Sequence, residues 1–207
     1  MKKIITVGLT GQSGAGKTTV SEVFKNHGFS VINCDTAARE AVLPETECTK
    51  ELEEKFPQLF TGGKLDRKKA ASLLFSDRAL LDSYNSVIFP HIITLINSKI
   101  KIEEENGARY ILLDAPTLFE AGIDKKCDCV VSCIADRSIR INRIMNRDLL
   151  TYELAEKRLA SQKSEKFFIE NSDYIIENSG EINKAISSAE AVINKIKGIY
   201  NGNKTQY

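Results

Sequence analysis

An excess of charge of either sign is missing from this chain. Its 207 residues carry 29 lysines and arginines against 28 aspartates and glutamates, so no global field marks it as a nucleic-acid binder. Long hydrophobic runs are missing too: none approaches the roughly 18 apolar residues that a bilayer span needs, which points away from a membrane protein. No leader peptide is expected. Met1-Lys2-Lys3 runs straight into an apolar, β-branched segment, and the small polar loop beyond it suits phosphate chemistry rather than a cleavage site. Cysteine is odd in number, five in all. Cys127 and Cys129 are closely spaced, but without a second pair or a clustered histidine neither a zinc site nor a disulfide framework is expected. Reduced thiols in a cytoplasmic protein are the expectation. Internal repeats and low-complexity linkers are also lacking. What remains is ordinary, with 42% hydrophobic and 28% charged residues, enough for one sizeable core with small insertions.

Against that plain background one stretch stands out. Ile4-Ile5-Thr6-Val7-Gly8-Leu9-Thr10 reads as a strand, and Gly11-Gln12-Ser13-Gly14-Ala15-Gly16-Lys17-Thr18 then follows the G-x-x-x-x-G-K-[ST] pattern. A helical pattern comes next, with Val20, Val23 and Phe24 on one face and Gly28 as its stop. Strand, loop and helix form the context in which this motif is persuasive. Gly11, Gly14 and Gly16 allow successive backbone N–H groups to converge on a phosphate. The helix opening at Lys17 adds unpaired N–H groups and the positive end of its dipole. Lys17 supplies a point charge near the β- and γ-phosphates, and the Thr18 hydroxyl can ligate Mg²⁺. The competing reading is a glycine-rich strand-to-helix turn with a chance Lys-Thr; the preceding strand favours a nucleoside triphosphate site.

Phe29 to Cys34 reads as a second strand ending at Asp35. Residues at the carboxyl ends of parallel strands line the ligand crevice, so Asp35 has reason to face the phosphates. It equally suits the N-cap of a helix over 36–42. From Pro44 the alternation of strand and helix stops. Helices are expected over 47–56 and 66–75, with a loop over 57–63 between them. A long helix capped by Ser76 or Asp77 should reach Asn106-Gly107, kinked or interrupted at Pro90. This block looks like an insertion that builds a second binding wall, or a purely structural cap.

A third strand of the main sheet, Tyr110 to Leu113, ends in Asp114. A carboxylate there can hold the Mg²⁺ shell beside a phosphate loop, or simply initiate a turn ahead of Pro116. The apolar segment Leu118-Phe119 with Glu120 suggests a pocket wall. Cys129 to Ile134 is the next strand, and the helix after it carries Arg140, Arg143 and Arg147 within about 60° of one another. That stripe is either a solvated edge or a source of charge for a transferring phosphoryl group. Thr151 caps a further helix with Arg158, and the region of Lys163 and Lys166, poor in core signals, suits a mobile lid. Tyr174 to Asn178 is a last strand, followed by a helix with its apolar face at Ile182, Ile186, Ala189, Ile193 and Ile196. A frayed polar tail over 201–207 is expected.

Taken in order, the phosphate loop from Gly11 to Thr19, Ile32-Asn33-Cys34-Asp35 with Arg39, Asp114 to Glu120, Arg143 to Asp148, Arg158-x-x-x-Gln162 and Asp173 to Asn178 resemble the dephospho-CoA kinases. The resemblance spans nearly the whole chain. It implies an α/β fold: a three-layer P-loop NTPase core with a parallel sheet, a helical substrate-binding insertion and a lid. The core would comprise 1–35, 108–139 and 167–200, the helical CoA domain 36–107 and the lid 140–166. The implied reaction moves the ATP γ-phosphoryl group to the 3′-hydroxyl of dephospho-CoA, with Mg²⁺. Asp35, Lys17 and Arg143 would be catalytic. Gly11, Ser13, Gly14, Ala15, Gly16, Lys17, Thr18, Thr19, Arg147 and Asn178 would bind ATP. Asp35, Arg39, Leu118, Phe119 and Glu120 would hold the acceptor, and Thr18 and Asp114 the metal. Both partners would be small molecules, with no nucleic acid and no membrane, and nothing implies an oligomeric state.

The chain departs from the family's pattern in places. It reads Asn33-Cys34-Asp35 where many members carry Asp-x-Asp, and Phe89-Pro90-His91 where many carry His-Pro; Thr117 stands where leucine is usual. Two other readings share the core motif: another nucleoside or nucleotide kinase, and a regulatory NTP-binding switch. The helical insertion and the arginine-rich segment favour a transferase.

Overall fold

The computed structural model describes residues 4–202. Strand β1 (Ile5–Gly11) is apolar and almost wholly buried, as a central strand covered on both faces must be. It pairs in parallel with β5 (Tyr110–Asp114) on one side and β6 (Cys129–Ile134) on the other, with Val7 opposite Leu112 and Cys129. β6 pairs in parallel with β7 (Tyr174–Glu177). With β2 (Ser30–Asn33) at the far edge, the five-stranded order is β2-β5-β1-β6-β7. β1, β5 and β6 are therefore interior, and their runs read as continuously apolar rather than alternating. Two aspartates lengthen the ladder: the Asp128 carboxylate accepts the Thr6 N–H at 2.9 Å, and the Asp173 carboxylate accepts the Val130 N–H at 2.7 Å.

One face of the sheet is covered by helix α1 (Lys17–Asn26) and the last helix, α9 (Ile182–Gly202). Val20, Val23 and Phe24 of α1 join Ala189, Val192, Ile193 and Ile196 of α9 over Val7, Leu9, Leu112 and Val131. Lys197 braces that layer: its Nζ donates to the His27 carbonyl at 2.6 Å and lies 5.7 Å and 5.3 Å from the Phe29 and Tyr110 ring centres. A lysine on the last carbonyls of α1 also opposes that helix's negative end. Farther along the chain, α6 (Arg137–Asp148) and α7 (Tyr152–Ala160) pack through Ile141, Ile144, Ala155 and Leu159. α8 (Glu165–Glu170) follows, its first turn capped by Ser164.

The chain divides into two compact units, one holding the sheet (through Ile32 and from Glu103 onward) and the other spanning Asn33–Ile102. The second contains α2 (Cys34–Ala41), α3 (Glu47–Lys55), a two-stranded hairpin of β3 (Phe60–Thr61) and β4 (Lys64–Leu65), α4 (Arg67–Ser76) and most of α5 (Arg78–Glu105). Caps set its helix starts: Thr46 for α3 and Asp66 for α4 accept first-turn N–H groups. His91 of α5 meets Glu51 of α3 at 2.9 Å, and Lys99 meets Glu40 of α2 at 2.8 Å.

Several expectations change. α5 runs unbroken for 28 residues with Pro90 inside it; proline removes one donor, and the turns on either side carry on. α5 is also long and apolar enough, by length and composition alone, to cross a bilayer, although serine, threonine and asparagine break up its apolar runs. Its buried residues Val87, Ile88, Ile92 and Ile96 lie at helical spacing. The expected loop over 57–63 holds a 3₁₀ turn and the first strand of the hairpin. The segment around Lys166 is helical and anchors a buried Phe168. α9 extends to Gly202; the rest of the expected tail lies outside the described residues.

Candidate active site

The phosphate loop leaves β1 at Gly11, opposite Cys133 of β6, and enters α1 at Lys17. Its shape is set by its own bonds and by neighbours. The Gln12 N–H donates to the Cys133 carbonyl at 3.2 Å, and the Ala15 N–H to the Gln12 carbonyl at 3.0 Å. Three side chains from distant parts of the chain reach its backbone. Asn178, just past β7 and buried, donates its amide to the Ala15 carbonyl at 2.8 Å. Arg143 of α6 donates to the Gly14 carbonyl at 3.2 Å. Gln162, just past α7, accepts the Ser13 N–H at 3.1 Å. The Asn178 amide nitrogen comes so close that a Cβ on Gly16 would sit 2.1 Å from it, so Asn178 and the absence of a side chain at Gly16 fit together as one contact.

Lys17 forms an ion pair with Asp114 at the end of β5. The side chains are 18% and 9% exposed, so the pair is partly shielded from water. Cys133 lies beside it. Burial pushes that thiol up to about 12, with opposing smaller influences from Lys17 and Asp114. The Thr18 side chain is exposed at the start of α1 and Thr19 is half-buried. The described residues hold no cluster of three or more His, Cys, Asp or Glu that could cage a metal. The oxygen donors on offer are the Thr18 hydroxyl and the Asp114 carboxylate. That hard, sparse set suits Mg²⁺, which keeps waters and substrate oxygens around it.

The arginines of α6 divide by role. Arg140 is buried, its Nε has no hydrogen-bond partner, and burial pulls its pKa down. It is therefore not part of a solvated stripe; its backbone lies against Gly14. Arg143 stays at the loop. Arg147 makes a two-pronged contact with Asp148 at 2.8 and 2.7 Å, and Arg158 reaches the same carboxylate at 2.6 Å. Arg147 in particular holds the Asp148 carboxyl below the usual carboxylate range.

The sheet-bearing unit thus gathers Gly11 to Thr19, Asp114, Arg143 and Asn178 around one loop. Asp35 and Arg39 are exposed on successive turns of α2, in the other unit. Asp35 is not the cap of α2: Asn33 is, its side chain accepting the Thr36 N–H at 2.9 Å. Asp35 sits one position into the helix, where a carboxylate meets the positive end of the dipole. The helix begins before the 36–42 range because Asn33 outcompetes Asp35 for the cap. Leu118 is fully enclosed and packs toward Gly8, Phe119 stacks edge-on to Phe167 at 5.1 Å, and Glu120 is exposed. Sequence reasoning missed the contacts of Gln162 and Asn178 with the loop. Both residues stood in the quoted motifs, but only folding reveals what they reach.

The sequence model of dephospho-CoA kinases matches residues 5–184. The chain is 34% identical to the dephospho-CoA kinase of Fusobacterium nucleatum, covering 90% of this chain and 96% of that protein. It is 30% identical to the dephospho-CoA kinase of Corynebacterium glutamicum over 93% and 98% of the two chains. Among solved structures, TT1252 from Thermus thermophilus superposes with a TM-score of 0.81 at 29% identity, covering 94% of this chain and 99% of that one. Dephospho-CoA kinase from Campylobacter jejuni does so at 0.67 with 25% identity, covering 96% and 98%. A shikimate kinase from Acinetobacter baumannii, at 16% identity and a TM-score of 0.52, shares the fold. A phosphate loop braced by its own sheet, together with relatives of matching length along the whole chain, leads to one assignment: this chain belongs to the dephospho-CoA kinase family.

Proposed function

We infer that the chain carries out its family's reaction at this loop, transferring the γ-phosphoryl group of ATP to the 3′-hydroxyl of dephospho-CoA. The observation that carries the reading is the loop itself: a strand-to-helix phosphate loop whose Lys17 meets the Asp114 carboxylate at the end of the neighbouring strand. Phosphoryl transfer asks for positioning and charge neutralisation more than covalent help. In this reading backbone N–H groups of the loop between Ser13 and Thr18, apart from that of Ala15, which stays on the Gln12 carbonyl, cradle the β- and γ-phosphates, and Lys17 exchanges Asp114 for phosphate oxygens. Arg143, tied to Gly14, supplies charge beside the transferring group, and Arg147 exchanges Asp148 for phosphate. Asn178 acts on ATP through the loop it supports. Thr18 and Asp114 would hold Mg²⁺, which when bound neutralises charge on the phosphate oxygens.

Asp35 is the proposed catalytic carboxylate, with Arg39 holding the acceptor alongside Leu118, Phe119 and Glu120. The helical unit is the proposed CoA domain and 140–166 the proposed lid. A carboxylate has a low resting pKa, so Asp35 chiefly orients the hydroxyl and accepts its proton late. A cytoplasmic location and small-molecule partners belong to the same reading; five cysteines with no disulfide among them support it.

The test is an ATP-dependent assay across a panel of acceptors, run on the wild-type chain and on Asp35→Asn. Dephospho-CoA should be the preferred acceptor, and Asp35→Asn should lower kcat by about 10²–10⁴-fold while ATP affinity stays unchanged. Asn33 supplies the cap of α2, so stability should also stay near wild type. Preference for adenosine or a nucleoside monophosphate would move the assignment to another kinase. Turnover within a few-fold of wild type in the variant would remove Asp35 from the chemistry.

A further inference from the structure

The turn after α7 carries a side chain that the reaction has not used. Gln162 Oε1 accepts the Ser13 N–H at 3.1 Å, and Ser13 lies in the concavity whose amides turn toward phosphate. A neutral amide oxygen thus takes a donor that a polyphosphate oxygen also seeks.

The segment that delivers it is braced. α7 is packed on α6 through Ile144, Ala155 and Leu159, and Arg158, one turn before Gln162, is bonded to Asp148. On the other side Lys163 rests 4.2 Å from the Phe167 ring centre, and Phe167 stacks on Phe119. Gln162 itself is exposed, so its bond to Ser13 is open to water and readily exchanged. Two other side chains that the kinase reading assigns to phosphate also rest on protein oxygens, Lys17 on Asp114 and Arg147 on Asp148. In those two cases a charged carboxylate is the stand-in. At Ser13 it is an uncharged amide, the weakest competitor of the three, because hydrogen bonds to charged acceptors are roughly twice as strong.

Building on the kinase reading, we propose that Gln162 is a positioning residue that ties the α6–α7 hairpin to the phosphate loop and competes with the nucleotide's phosphate oxygens for the Ser13 N–H. Nucleotide binding then breaks this tie and frees the end of α7. Gln162 sets nucleotide affinity without touching the acceptor.

Competition gives the substitutions opposite signs. Gln162→Ala removes the competitor and should tighten ADP and ATP binding by about 2- to 10-fold, the worth of one net hydrogen bond. Gln162→Glu keeps the reach and adds a charge, so it should hold Ser13 more firmly, repel phosphate and weaken binding by about 10-fold or more. The measurement is titration calorimetry of ADP and ATP on the full chain and both variants, with melting temperatures recorded. Hydrogen exchange across residues 11–17 is followed without nucleotide, where Gln162→Ala should speed exchange at Ser13. A merely structural role would weaken binding in both variants, and that result, or unchanged affinity with unchanged exchange, would overturn the proposal while leaving the kinase reading intact. Wild-type protein that binds neither nucleotide would overturn the kinase reading and the competition with it, and the exchange data would decide the positioning contact alone.

Discussion

The molecule has two glycine-rich turns that look alike in sequence and are built differently. In the phosphate loop, Gly11 has φ +148°, and a Cβ there would lie 2.3 Å from the Cys133 carbonyl oxygen and 2.9 Å from its nitrogen. In the hairpin, Gly62 and Gly63 join β3 to β4 at φ +58° and +73°, and nothing lies within 4 Å of a Cβ on Gly62. The hairpin needs its glycines for local geometry, since two successive positive φ values are what a two-residue primed turn requires. The loop needs its glycine at position 11 because another strand's backbone fills the space. One turn is a property of a few residues; the other is a property of the sheet.

Substitutions can break that contrast. Gly11→Ala should have the largest effect, costing about 3 kcal/mol or more, because backbone must shift in the middle of the sheet and the φ is unfavourable as well. Urea unfolding monitored by circular dichroism checks it, and a midpoint near wild type would mean that β1 and β6 separate more easily than their register suggests. Lys17→Ala comes next. It removes the charge that the proposed function gives to the phosphates, and the expected loss is about 3 kcal/mol in the transition state, or roughly 100-fold in kcat/KM for ATP. Near-native kcat/KM in a folded variant would take Lys17 out of the chemistry. The smallest effects belong to the hairpin. Gly62→Ala should cost about 1 kcal/mol for the left-handed backbone, and Gly62→Asn close to nothing, because asparagine tolerates that conformation. Equal losses for alanine and asparagine would show that Gly62 is crowded after all.

The same contrast explains what the sequence could reveal. β1, β5, β6 and the start of α1 were legible almost to the residue, because an apolar run bounded by Gly11 or Asp114 carries its own ends. Local caps were legible where one candidate stood alone, as at Thr151. Asn33, Cys34 and Asp35 hold two side chains able to cap in three residues, and the folded backbone is extended at Asn33, which takes the cap. The β3–β4 hairpin was hidden because strands of two residues have no periodicity to read. In the site, residue types at the loop were legible, while the work of Asn178, Gln162 and Arg140 was not. Asn178 and Gln162 bond backbone groups of the loop from more than a hundred residues away, and Arg140 packs its own backbone against Gly14. Arg140 showed only a helical phase shared with Arg143, and burial separated the two.

The covered cysteines have a consequence for the chemistry of sulfur. Cys34, Cys48, Cys129 and Cys133 are buried. Burial raises the Cys48 thiol to about 11 and those of Cys129 and Cys133 to about 12. Thiolate, not thiol, attacks disulfides. An enzyme whose acceptor and product both end in a sulfhydryl also meets them oxidised to disulfides, and a protein thiolate attacking such a disulfide would expel one thiolate and leave a mixed disulfide. By holding Cys48, Cys129 and Cys133 protonated and burying Cys34 with them, the fold withholds four of its five sulfurs from that exchange.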